Sequence, residues 1–211
     1  MDIRQDQVAF TFHASVYSLG NSASDKLWFV FHGYGQLASY FIKKFEFLHS
    51  DSFIIAPQAL SYFYLKGTGG RVGTSWMTTA NRAVAIDNYI SYLNSIYQSI
   101  GKEDKNGSKK ISMLGFSQGV STLIRWVVKS EIQFDKLIMC AGSFPEDIEL
   151  AKARHIFDGK DCYYLYGDKD PYIKPGDIEK LRLLYLKYGL SVKFIQFEGK
   201  HEVPINLVQK L

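Results

Sequence analysis

Six short apolar runs recur along the chain, each bounded by turn-forming residues: 27–31 (LWFVF), 53–56 (FIIA), 111–114, 137–140, 163–166 and 192–197. Runs of this length with no polar face read as strands buried on both sides. Such strands belong to parallel sheets covered by helices. The segments between them carry helical period. Over 79–100 the residues Ile86, Tyr89, Ile90, Leu93, Ile96 and Ile100 step by three and four, with Gly101 as the expected stop. Residues 119–129 are apolar nearly all round, which predicts a central helix. Residues 177–188 follow Pro175, precede Gly189 and gather Ile178, Leu181, Leu184, Tyr185 and Tyr188 on one face. Residues 202–211 read as a short closing helix. At the start, Val8, Phe10 and Phe12 alternate, followed by Val16 and Tyr17, which predicts one or two antiparallel edge strands. The order β-β-β-α-β-α-β-α-β-α-β-α implies the α/β class, with a mostly parallel central sheet and helices on both faces.

Length and composition narrow the picture without changing it. A chain of 211 residues is expected to form one domain over 1–211, and at this size it needs no metal or disulfide staple to fold. Apolar residues make up 46% and charged ones 22%, which excludes disordered and collagen-like structure. The net charge of +4 is spread along the chain; the densest pairs are Lys43–Lys44 and Lys109–Lys110, so no nucleic-acid-binding stripe is expected. Cys140 and Cys162 sit in strand-like runs and read as free buried thiols. The first ten residues lack the apolar core of a signal peptide, and no apolar run approaches the ~18 residues of a membrane span. A cytoplasmic protein without integral membrane association is the expectation.

Candidate chemistry begins at Gly115-Phe116-Ser117-Gln118-Gly119, where a predicted strand meets the predicted central helix. This is G-x-S-x-G in the strand-turn-helix setting that presents a nucleophilic serine. The tight turn pushes the hydroxyl out of the sheet, and side chains two positions away would collide with strand or helix, hence glycine at both. A serine needs a base, and the base a carboxylate to orient it. In α/β-hydrolases these follow in the order Ser, Asp, His. After Ser117 only His155 and His201 remain; His155 falls in a charged helical patch, whereas His201 directly follows the last strand. The penultimate strand leads into Gly167-Asp168-Lys169-Asp170-Pro171. Asp168 is placed to bond turn backbone, so Asp170, further out, is the expected acid. Oxyanion N–H groups are expected from Gln118, after the nucleophile, and from Tyr34, whose flanking Gly33 and Gly35 let its backbone turn. His32 is expected to pack or hydrogen-bond beneath that loop.

These pieces resemble the phospholipase/carboxylesterase family of α/β-hydrolases, which includes acyl-protein thioesterases and bacterial carboxylesterases. The matching segments are HGYG (32–35), AP (56–57), GFSQG (115–119), AGSFP (141–145), YGDKDPYI (166–173) and EGKHEVP (198–204), nearly the whole chain in the family's order. The resemblance implies an α/β-hydrolase fold with no large cap domain. The spacings of 53 residues from Ser117 to Asp170 and 31 from there to His201 agree. It also implies Ser117 as nucleophile, Asp170 as acid, His201 as base, and Tyr34 and Gln118 as oxyanion amides. The family often dimerises. Two departures stand out: Gln36 replaces an acidic residue frequent in the family, and residues 62–77 lack its usual thioesterase wording.

Those residues are rich in glycine, but neither phosphate-loop pattern fits them. They read either as a flexible loop or as a pocket rim carrying Tyr62, Phe63, Tyr64 and Trp76, with Trp76 and Tyr62 the expected substrate contacts. The expected activity is serine-esterase hydrolysis of a small-molecule ester, thioester or lysophospholipid, with no metal or organic cofactor. An acyltransferase or perhydrolase on the same residues and a non-catalytic binding protein are the competing readings.

Overall fold

A computed structural model describes residues 2–103, 108–174 and 176–211. Seven strands form one sheet in the order β1-β3-β2-β6-β7-β8-β9: β1 (Val16–Gly20), β2 (Lys26–Phe31), β3 (Phe53–Pro57), β6 (Lys110–Phe116), β7 (Lys136–Cys140), β8 (Asp161–Gly167) and β9 (Val192–Phe197). Only β1 runs antiparallel, pairing with β3 at the edge. The six apolar runs of the sequence are β2, β3 and β6 to β9. The remaining strands, β4 (Ser61–Tyr64) and β5 (Val72–Ser75), form a separate antiparallel hairpin.

Helices cover both faces. One core holds α2 (Arg82–Glu103) and α3 (Gln118–Lys129) against Phe29, Phe31, Met113 and Leu137, together with α4 (Leu150–Phe157) and Tyr185 of α5 (Asp177–Lys187). The other places α1 (Ala38–Phe41), a following 3-10 turn (Ile42–Leu48) and α6 (Ile205–Val208) against Val30, Ile54 and Leu114. α3 is the central helix its composition implied, with Val120, Leu123, Ile124, Trp126 and Val127 all buried.

Several boundaries differ from expectation. Residues 2–15 carry no regular structure: Val8, Phe10 and Phe12 are exposed, and an alternating pattern makes a strand only where a partner accepts its edge. α2 runs past Gly101 to Glu103, because one internal glycine costs only about 1 kcal/mol. The closing helix shrinks to four residues. α1 and the hairpin are elements that periodicity did not reveal. Pro175, the expected start signal for α5, lies outside the described residues.

Candidate active site

The turn from β6 into α3 is built by exclusion. Ser117 has φ 54° and ψ −120°, a conformation that non-glycine residues rarely adopt. Its N–H donates to the Cys140 carbonyl at 2.9 Å, and its own carbonyl accepts from Val120 N–H at 3.0 Å. A Cβ at Gly115 would lie 2.7 Å from Val120 Cα, and one at Gly119 would lie 2.4 Å from the Phe31 carbonyl oxygen. The two glycines therefore allow α3 to approach β2 and β6 closely while the serine hydroxyl is lifted clear.

His201 follows β9 and Asp170 follows β8, so both side chains arise at the same sheet edge as Ser117. Asp170 Oδ2 lies 2.7 Å from His201 Nδ1, and His201 Nε2 lies 2.9 Å from Ser117 Oγ. A carboxylate only accepts, which makes Nδ1 the donor and leaves Nε2 free to accept the serine proton. The Asp170 side chain is fully buried, and its second oxygen accepts from Tyr172 N–H at 2.9 Å. The Phe116 and Tyr172 rings pack on the imidazole at 4.9 and 4.6 Å. Asp168 serves the backbone instead, its Oδ1 accepting from Gly199 N–H at 2.9 Å and tying the β8 loop to the loop that carries His201. His155 is exposed on α4, as expected.

Tyr34 and Gln118 both line the cavity at Ser117. Among the described residues neither backbone N–H has an acceptor. A polar layer holds their loop in place. Gly33 N–H donates to Gln36 Oε1 at 2.8 Å, Gly35 N–H to the Thr74 carbonyl at 2.8 Å, and Thr74 Oγ1 to the Gln36 carbonyl at 2.7 Å. Gln58 Nε2 donates to Thr74 Oγ1 at 2.6 Å. His32 is fully buried below, its Nε2 accepting from Ala59 N–H at 3.2 Å and its Nδ1 facing the Gly33 carbonyl at 2.8 Å. Burial holds its pKa down to about 4, so the ring stays neutral with its proton on Nδ1. The Gln118 side chain is clamped as well, accepting from Trp76 N–H at 3.1 Å and donating to the Met77 carbonyl at 2.9 Å.

Ser117 and His201 open onto a cavity of about 790 Å3. Its apolar wall comes from Phe144, Ile173, Ile178, Leu181 and Leu184, on the loop after β7 and the approach and face of α5. Trp76, expected at a pocket rim, is instead 1% exposed and takes no part in the lining. Its indole N–H donates to the His32 carbonyl at 2.9 Å and its ring lies 5.1 Å from His32, because the β4–β5 hairpin folds it inward beneath the 33–36 loop. Tyr62 is exposed on the hairpin and is not among the lining residues. The apolar face of α5 was visible in the sequence, but periodicity alone does not separate a face that meets a cavity from one that meets the core. Phe144 carried no such signal. Among the described residues no group of three or more His, Cys, Asp or Glu is placed to hold a metal ion, and no helix is long and apolar enough to cross a membrane.

The family model for phospholipase/carboxylesterase proteins matches residues 13–211. The chain belongs to this family. Membership places it among esterase-type hydrolases on the α/β-hydrolase fold, and no large cap is evident among the described residues. No curated protein matches it in sequence. Solved structures do match in fold. A phospholipase/carboxylesterase from Dyadobacter fermentans is 18% identical with a TM-score of 0.65, covering 97% of this chain and 98% of its own. Acyl-protein thioesterase 2 of Zea mays is 15% identical with a TM-score of 0.69, covering 94% and 96%. A Bacillus cereus carboxylesterase is 13% identical with a TM-score of 0.66, covering 93% and 91%. Within this family frame, Gln36 is an acceptor without charge: its amide oxygen receives Gly33 N–H, so the loop is fastened without a carboxylate beside the site.

Proposed function

We propose that this family member is a serine esterase that cleaves carboxylic esters or thioesters through an acyl-enzyme. The contact in series of Asp170, His201 and Ser117, at 2.7 and 2.9 Å, carries the reading. As Ser117 Oγ attacks the substrate carbonyl carbon, His201 Nε2 takes the hydroxyl proton, and Asp170 stabilises the imidazolium that forms. The N–H groups of Tyr34 and Gln118 stabilise the oxyanion, one such donor being worth about 3 kcal/mol. The position of Gln118 at the start of α3 adds the positive end of the helix dipole. The intermediate collapses: the bond from the acyl carbon to the leaving oxygen or sulfur breaks, and His201 gives its proton to the leaving group. Water then attacks the acyl-enzyme, His201 takes one of its protons, and Ser117 leaves reprotonated with release of the carboxylic acid. The apolar wall of Phe144, Ile178, Leu181 and Leu184 suits an acyl chain.

The test is Ser117→Ala. Turnover of p-nitrophenyl acetate and butyrate falls by about 10⁴-fold or more, and labelling by a fluorophosphonate probe is lost. Unchanged turnover in this variant removes the reading.

A further inference from the structure

A second cavity, of about 460 Å3, shares the 33–36 loop with the first: Tyr34 lines one, Gly35 and Gln36 line the other. Lys44 comes to it from the 3-10 turn and Arg71 from the foot of β5, with Tyr40 and Leu65 supplying apolar surface. Among the described residues no carboxylate lines this cavity. Among the described residues neither Lys44 nor Arg71 has an ion-pair partner, whereas the neighbouring Lys43 lies over the Tyr40 ring at 5.5 Å. The first cavity is balanced by contrast, with one carboxylate, Asp177, against Lys180.

Two cations converging on one concave surface repel each other and raise the local positive potential, and an anion between them relieves both effects. The arginine fork also matches the two oxygens of a carboxylate or phosphate. We infer that the second cavity receives the leaving-group half of the substrate, and that this half carries a carboxylate or phosphate. The inference rests on the esterase reading above and specifies its substrate: an apolar acyl group in the first cavity, bridged across Tyr34 to an anionic alcohol or thiol in the second. Protonation by His201 then releases that alcohol or thiol with its anion still held by Lys44 and Arg71.

The experiment compares three acetates with different leaving groups: phenyl acetate, para-carboxyphenyl acetate and para-phosphonooxyphenyl acetate. Each is turned over by the wild type, by Lys44→Gln/Arg71→Gln, by Lys180→Gln and by Ser117→Ala. The readout is the ratio of kcat/KM for an anionic substrate to that for the neutral one, within each variant. The wild type prefers at least one anionic acetate, and the two charged arms tell carboxylate from phosphate. In Lys44→Gln/Arg71→Gln the ratio falls about tenfold, two exposed cations contributing a few-fold each, and in the wild type it shrinks as added salt screens the cations. A wild-type ratio near one overturns the inference, as does a ratio that survives the double substitution or is lost instead in Lys180→Gln. In each of these cases loss of turnover in Ser117→Ala keeps the esterase reading intact. Retained turnover in Ser117→Ala overturns the esterase reading itself, and this inference with it.

Discussion

The floor of the site and the wall of its cavity are made in opposite ways. The floor, where His32, Gln58, Thr74 and Trp76 underlie the 33–36 loop, is fully or nearly fully buried and joined by directed hydrogen bonds. The wall, with Ile178, Leu181 and Leu184 of α5, is half-buried and held by apolar contact alone. A hydrogen-bonded layer fixes atoms at chosen positions and fails when one partner is removed. An apolar wall tolerates changes of shape and adjusts what it admits. In the proposed reading, the chemistry thus rests on a layer that resists change and the selectivity on a surface that accepts it.

The contrast is open to test, and the largest effect belongs to the floor. Trp76→Ala removes a buried indole and its bond to His32, so it costs about 3–5 kcal/mol of stability in denaturant unfolding. The acyl-chain-length profile of the protein that stays folded is unaltered, because Trp76 does not line the cavity; a changed profile would return Trp76 to the wall.

Next comes acid. The His32 pKa is about 4 folded against an ordinary 6.5 unfolded, so the unfolded chain binds the extra proton. Stability contributed by neutral His32 is complete above pH 6.5 and lost as pH falls from 6.5 to 4, by about 3 kcal/mol over that window. His32→Gln has a lower plateau but flattens this slope, read by urea midpoints across pH. A slope identical in both proteins places the acid sensitivity elsewhere.

The smallest effect belongs to the wall. Leu184→Ala shifts kcat/KM toward longer acyl esters by a few-fold relative to acetate, since one or two methylenes of pocket space are worth about 1–2 kcal/mol. It lowers stability far less than Trp76→Ala does. An unmoved chain-length optimum would separate α5 from substrate recognition.

The same contrast explains what the sequence made legible. The five inner apolar runs and the glycine-flanked Ser117 follow from local rules, because burial and a strained turn each leave a residue-level trace. His32 was readable as structural for the same reason. β9, read as buried on both faces, is an edge strand with no buried residue, and Asp170 and His201 were placed by chain order after Ser117. Trp76 was misplaced because its burial depends on the β4–β5 hairpin, whose glycine-rich segment hides the pairing of Tyr62 with Thr74. The wall was missed because α5 offers one apolar stripe to both core and cavity. Asp168 bonds backbone, as its place after Gly167 suggested, yet its partner is the distant Gly199, which no local rule names.

The order of the strands also bears on timing. Ser117 and His201 are 84 positions apart, and the imidazole is placed only after β9, the last strand of the sheet, has docked on β8. In the proposed esterase reading, hydrolysis therefore depends on the last strand of the sheet, because a chain that stops before β9 lacks His201 and with it the base.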